Sequence, residues 1–353
     1  MKAISLFSGM GGDSLGLQQA GFELEAYSEK ESVFRETHKA NFPNCKLIGE
    51  SVSSDILKIK DEEFLKYKDI VDLIFAGFPC QGFSNAGKKK INDPRNSLFR
   101  EFVRATKLVN PKFIIGENVK GLLSRKTDSD EMYIDLIKSE FEKLGYNIKY
   151  KVFDCEKYGI PQLRKRLIIV GIRNDIDLDY QFPIELSDIK PNLLDIVEFN
   201  MEGSIRLCLD DFDLSSIPEE CILKDLDNDE DENDYHPYLK LKCKKRNESY
   251  KDKTFKSMLS FSKRDSPIHS EIIDIRNPSK TIICTYEHQP RLYVPLQNKL
   301  GNFIRCLLPD ELKQIQGFPK NYIIKGNKKQ KIIQIGNAVP PPLIKLVAMN
   351  LIN

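Results

Sequence analysis

Tryptophan is absent from these 353 residues, histidine occurs only four times, and the eight cysteines include no Cys-x-x-C pair. The missing tryptophan, with abundant Lys, Ile and Asn, reflects an AT-rich coding sequence and carries no functional information. Cys45, Cys80, Cys155, Cys208, Cys221, Cys243, Cys284 and Cys306 are scattered, which in a chain of this length excludes a disulfide framework and fits reduced thiols. The loose group Cys208, Cys221, His236 and Cys243 matches no standard zinc spacing, so no metal is expected. No apolar run approaches the roughly 20 residues of a membrane span, and the short stretch before Ser8 is no signal peptide. A soluble, cytoplasmic protein with no membrane partner is expected. An excess of one charge is missing too: 54 basic against 52 acidic residues leave a net +2. That balance neither demands nor excludes nucleic acid, because a local basic face coexists easily with a neutral total. Neither G-x-G-x-x-G nor a P-loop lysine occurs, which argues against a dinucleotide or triphosphate ligand.

What is present is an alternation of short apolar runs and amphipathic stretches, the pattern of an α/β protein with a mostly parallel sheet. Strands are expected over residues 3–7, 22–27, 71–76, 113–116, 150–153 and 166–172. Helices are expected over 13–20, 31–41, 97–109, 130–144, 309–316 and 343–351. After Pro183 the texture changes. An acidic run (225–234) reads as a solvated loop and is followed by the basic run 240–256. The division expected is 1–185 with 330–353 as the main domain, 186–300 as a smaller irregular one, and 301–329 as a connecting hinge.

Three groups of residues carry chemistry. Phe7-Ser8-Gly9-Met10-Gly11-Gly12 is a glycine-rich turn from strand to helix, where backbone approaches a ligand closely and a helix start offers free amides. Glu29 ends the second strand, placed to accept ribose hydroxyls, and Asp55-Ile56 offers an acceptor with an apolar wall; together they favour a nucleoside-containing cofactor. Cys80 follows a strand in Gly77-Phe78-Pro79-Cys80-Gln81-Gly82-Phe83-Ser84, and Glu117 follows another in Glu117-Asn118-Val119. A thiol and a carboxyl at one sheet edge suggest a nucleophile working with a general acid that stays protonated. Finally, Gln162, Arg164 and Arg166 alternate before the strand at 167–170, so one face would carry all three, fit for a phosphate or a carbonyl oxygen.

In this order these residues resemble the DNA (cytosine-5)-methyltransferases of prokaryotic restriction–modification type. The resemblance runs through Phe7–Gly12, Glu29, Asp55, Pro79-Cys80-Gln81, Asp93–Phe99, Glu117-Asn118-Val119, Gln162–Arg166, Arg305–Pro319 and Gln334–Pro340, nearly the whole chain. It implies a Rossmann-like class I methyltransferase fold, S-adenosylmethionine as cofactor and double-stranded DNA as substrate. It also implies a target-recognition domain at 186–300. The implied cofactor set is Phe7, Gly9, Gly11, Gly12, Glu29, Lys30, Asp55, Ile56, Pro79, Leu98 and Asn337. Two features depart from the family: Lys30 stands where many relatives carry an aromatic residue, and no glycine precedes Asp55.

By the same resemblance Cys80 would add to C6 of a flipped cytosine, Glu117 would meet N3, Arg166 would hold O2 and Arg164 would order the site. Gln81, Ser84, Asn118, Gln162 and Thr281 would contact substrate. The lysines at 88–90, the basic run, Lys263, Arg264 and Arg291 suit phosphate contacts. A monomer acting beside a separate cognate endonuclease is expected. The alternatives are a tRNA cytosine-5 methyltransferase and an inactive DNA-binding homologue.

Overall fold

The computed structural model describes residues 1–49, 54–79, 98–127, 130–186, 190–198, 200–206, 212–213, 236–237, 242–243, 271–273, 275–287, 292–298 and 301–352. Cys80, Gln81, Ser84, the lysines at 88–90, both charge runs, Lys263, Arg264 and Arg291 lie outside them, apart from the backbone of Lys242–Cys243.

A seven-stranded sheet organises the main body. Its strands are β1 (Lys2–Leu6), β2 (Glu23–Ser28), β3 (Lys46–Leu47), β4 (Leu73–Ala76), β5 (Phe113–Val119), β6 (Tyr146–Asp154) and β8 (Lys165–Arg173); the short β7 (Gln162–Leu163) stands apart. Their order across the sheet is β3-β2-β1-β4-β5-β8-β6. The first five are parallel, while β8 runs antiparallel to both β5 and β6. The central strands read as continuous apolar runs because both faces are covered: all four residues of β4 are buried. One face packs against α4 (Phe99–Val109), whose Phe99, Phe102, Ala105, Thr106 and Val109 form its buried stripe. The other lies under α1 (Gly12–Gln19) and the C-terminal α8 (Pro341–Met349). Helices α2 (Ser32–Asn41), α3 (Asp61–Leu65) and α5 (Tyr133–Glu142) complete the first half.

Several expected elements shift. The strand expected to end at Gly116 continues through Val119, because β8 pairs with it as far as Val119 opposite Arg166. Glu117 therefore projects from inside a strand. The helix expected from residue 130 starts at Tyr133: Asp130 has a φ of 65°, and Lys126 bridges to Met132 first. A helix that the sequence pattern does not predict, α7 (Lys328–Asn337), begins in a capping box between Asn327 and Gln330. The stretch Lys328–Met349 is long and apolar enough to cross a bilayer, yet α7 and α8 divide it and much of it is buried.

The segment expected to be a hinge contributes side chains to the core. Leu307, Leu312, Ile315, Phe318 and Tyr322, around α6 (Pro309–Ile315), pack with Met10, Phe42, Ile282, Ile332 and Ile335. Strand β9 (Ser279–Lys280) pairs with β7. Strands β10 (Leu292–Asn298) and β11 (Gly301–Cys306) pair antiparallel, so the expected 300/301 boundary separates two paired strands.

Candidate active site

The order β2-β1-β4 places the start of the fold's two half-sheets between β1 and β4, and the chain leaving their C-terminal ends forms the crevice where open α/β sheets bind ligands. Phe7 leaves β1 with a φ of 56°, a left-handed conformation uncommon for an aromatic residue. Its ring and the partly buried Leu98 side chain pack against the apolar core that includes Ile56. Gly9 follows with a φ of +55°, and a side chain there would meet open space; its amide donates to Glu29 Oε2 at 2.8 Å. The Glu31 amide donates to Glu29 Oε1 at 2.8 Å, which locks the carboxyl in place. Burial pushes that carboxyl above the usual carboxylate range. Asp55 caps a short turn through the Leu57 amide, and Lys30 Nζ stands 4.0 Å from its Oδ2.

Gly11 and Gly12 do something else. A Cβ on Gly11 would lie 2.7 Å from the Phe42 ring, and one on Gly12 would lie 2.2 Å from the Val339 carbonyl oxygen. Both glycines, expected in the ligand cradle, leave no room for a side chain because the protein packs closely against them. The helix start is also not free: the buried Asp13 carboxyl accepts the amides of Asp13 and Ser14 and the Ser5 hydroxyl. Burial pushes Asp13 up to about 7. Composition and spacing missed this residue, although an acid in a first helical turn is itself a signal.

On the face of the sheet that α1 and α8 cover, Arg166 Nε meets Glu117 Oε1 at 2.7 Å. The pair is diagonal across β5 and β8, since Arg166 is opposite Val119. Both side chains are half-buried and Gly77, just past β4, stands beside the second Glu117 oxygen. Asn118 points to the opposite face, where Nδ2 donates to the Phe78 carbonyl at 3.2 Å and Oδ1 accepts the Val119 amide. Buried Asn118, expected as a substrate contact, anchors the chain two residues before Cys80. Pro79 remains half-buried at the mouth of the crevice. Burial pushes the Cys45 thiol up to about 12 and the Cys155 thiol up to about 11, so neither is poised as a thiolate.

The family model for C-5 cytosine-specific DNA methylase matches residues 1–353. The chain belongs to that family. The Type II methyltransferase M.FnuDI of Fusobacterium nucleatum is 31% identical over 99% of this chain and 93% of its own length. M1.HphI of Haemophilus parahaemolyticus, also a Type II methyltransferase, is 30% identical over 98% and 85%. Among solved structures, Spodoptera frugiperda DNMT2 superposes with a TM-score of 0.65 at 19% identity, covering 100% of this chain and 99% of that one, a likeness of fold.

This DNA (cytosine-5) methyltransferase uses S-adenosylmethionine. The crevice suits it. Ser8 Oγ is buried without a partner among the described residues, Gly9 opens onto space, and Glu29 keeps lone pairs beyond its two amides. The N-terminus of α1, filled by Asp13, leaves no place for a phosphate, and this cofactor has none. Asn337 is exposed at the end of α7.

The methyltransferase buries its other two strand-entry residues. Gln162 is fully buried: its Nε2 donates to Gln316 Oε1 at 2.6 Å and its Oε1 accepts the Ile282 amide at 3.0 Å. Arg164, 2% exposed, donates to the carbonyls of Ile282 (3.2 Å), Gly336 (3.2 Å) and Ala338 (3.1 Å). Burial, then the neighbouring Arg166, push it down to about 9. A one-residue break at Arg164 separates β7 from β8, yet burial still alternates, with Gln162, Arg164 and Arg166 turned inward and Leu163 and Lys165 exposed. Among the described residues, Gln162 and Arg164 direct these hydrogen bonds to the protein's own backbone and to Gln316. Thr281 donates its hydroxyl to the Leu163 carbonyl at 2.7 Å.

Proposed function

We propose that this enzyme is the modification methyltransferase of a Type II restriction–modification pair, methylating one cytosine within a specific duplex sequence through a covalent Cys80 adduct. The observation that carries the site assignment is the Arg166–Glu117 pair, 2.7 Å apart at the crevice, with Asn118 fastening the chain just before Cys80 to the same strand. The target carbon lies inside the base stack, so the cytosine leaves the duplex at a cost of a few kcal/mol. The Cys80 thiolate adds to C6, and the ring electrons shift toward C5 as Glu117 protonates or hydrogen-bonds N3. Arg166 holds Glu117 in place and presents its remaining donors to O2. When bound, S-adenosylmethionine supplies an electrophilic methyl group. Loss of the C5 proton then restores the ring double bond and expels Cys80.

Phe7, Leu98 and Ile56 form the adenine side of the cofactor crevice, Glu29 takes the ribose, and Lys30, Asp55, Pro79 and Asn337 edge it. Residues 186–300 supply target recognition, with side chains reaching base edges in the major groove. The enzyme acts as a cytoplasmic monomer, and a separate endonuclease cuts unmodified sites.

Labelled S-adenosylmethionine offered with unmethylated duplex DNA and with bulk tRNA should put label on DNA cytosine C5. Label on tRNA alone overturns the reading. Cys80→Ala should abolish transfer, and a duplex carrying 5-fluorocytosine should trap a covalent adduct, since fluorine blocks loss from C5. Bisulfite sequencing of the modified DNA then defines the target.

A further inference from the structure

Arg164 is a buried cation whose partners, among the described residues, are backbone carbonyls alone. Such a group costs several kcal/mol to desolvate, and the fold repays that only where the carbonyls are held in position. Two of them, Gly336 and Ala338, close the C-terminal end of α7, where orphan carbonyls and the negative end of the helix dipole favour a cation. The third, Ile282, belongs to the segment that begins with β9. One planar guanidinium therefore joins two stretches of chain that lie more than fifty residues apart in sequence.

Independent contacts hold the same junction. A Cβ on Gly336 would lie 2.4 Å from the Cys284 nitrogen, so the backbone at 283–284 rests directly on the last turn of α7. Gln162 binds the Ile282 amide on one side and Gln316 on the other, and Gln316 in turn donates to the Ala338 carbonyl. Ser279 pairs with Gln162, Lys280 with Leu163, and Thr281 donates to Leu163. The last residue of α7, between the two carbonyls that Arg164 holds, is Asn337.

We propose that Arg164 is a positioning residue that couples target recognition to cofactor binding, by tying Ile282 of the recognition segment to the carbonyls either side of Asn337. The inference rests on the roles given above to residues 186–300 and Asn337. Displacement of Ile282 by a DNA ligand moves a carbonyl that shares its guanidinium with the cofactor wall, so each ligand biases the seat of the other. Packed junctions of this kind have discrete arrangements and transmit such shifts.

The test uses the full-length enzyme, S-adenosylhomocysteine as probe, and a duplex carrying the bisulfite-defined site. In the wild type the duplex should tighten S-adenosylhomocysteine binding about fivefold or more, and by linkage the probe should tighten duplex binding equally. Arg164→Lys keeps the cation but loses the planar fork that spans carbonyls on both sides. It should bring that factor close to one, with cofactor binding to the free enzyme less affected. An unchanged factor in folded Arg164→Lys overturns the proposal. Hydrogen exchange on the wild type needs no variant: duplex added without cofactor should slow exchange of the amides at 334–340, and no change there overturns the proposal equally. A wild type that neither binds the probe nor methylates DNA would instead refute the function proposed above. A wild type that does both while the Arg164→Lys factor and the exchange stay unmoved refutes the coupling alone.

Discussion

The turn Phe7–Gly12 and the strand entry Gln162–Arg166 each carry several residues of functional type, and each sends only some of them to the crevice. In the turn the division follows the space around each residue. Gly9, at a φ of +55°, opens onto space, while Gly11 and Gly12 back onto Phe42 and Val339. At the strand entry it is made from a distance. Arg166 meets Glu117 because β5 and β8 pair in that register, and Arg164 is withdrawn because Ile282, Gly336 and Ala338 surround it. In the turn what lies nearby decides where a side chain fits, whereas at the strand entry it decides which partner each side chain meets.

The largest expected effect tests the strand. Arg166→Met leaves Glu117 without its partner and removes the donors aimed at O2; kcat should fall about 10²–10³-fold, with the melting temperature close to wild type. Steady-state methylation with calorimetry checks both, and a kcat within a few-fold of wild type would remove Arg166 from the reacting pair. In the turn, Gly12→Ala forces a methyl against the Val339 carbonyl and should cost about 3 kcal/mol of stability in urea denaturation, the signature of a packing glycine.

Asp13 yields a pH test of the same turn. Its folded value of about 7 stands above the ordinary 3.8, so its contribution to stability is complete below pH 3.8 and is lost as pH rises to about 7. Asp13→Asn removes that loss and should be about 2–4 kcal/mol more stable than wild type at pH 8, the advantage vanishing toward pH 4. Melting curves across this range decide it; a gain independent of pH would deny the buried carboxyl its role. The smallest effect belongs to Gly9→Ala. Open space receives the methyl, but the left-handed backbone costs about 1–2 kcal/mol, which should appear as weaker S-adenosylhomocysteine binding in titration calorimetry.

Much of this was legible in the chain itself. Short apolar runs interrupted by amphipathic ones announced the α/β sheet, because burial on both faces demands near-continuous hydrophobicity. Glu29 and Phe7 were marked by their place at strand ends, Glu117 by a carboxyl following an apolar run, and the ordered motifs marked the family. Helix α7 was written in the Asn327–Gln330 box and overlooked among charged residues.

Spacing and residue type are local, and they determined the elements, the glycine turn and the identity of the reacting groups. Only the tertiary structure decided which of them meet. That Arg164 serves backbone carbonyls while Arg166 serves a carboxylate, that Asn118 fastens the chain at Phe78, and that side chains of 301–329 pack into the core all depend on partners distant in sequence. A buried polar group takes its function from whatever satisfies it, and no sequence pattern carries that partner along with it.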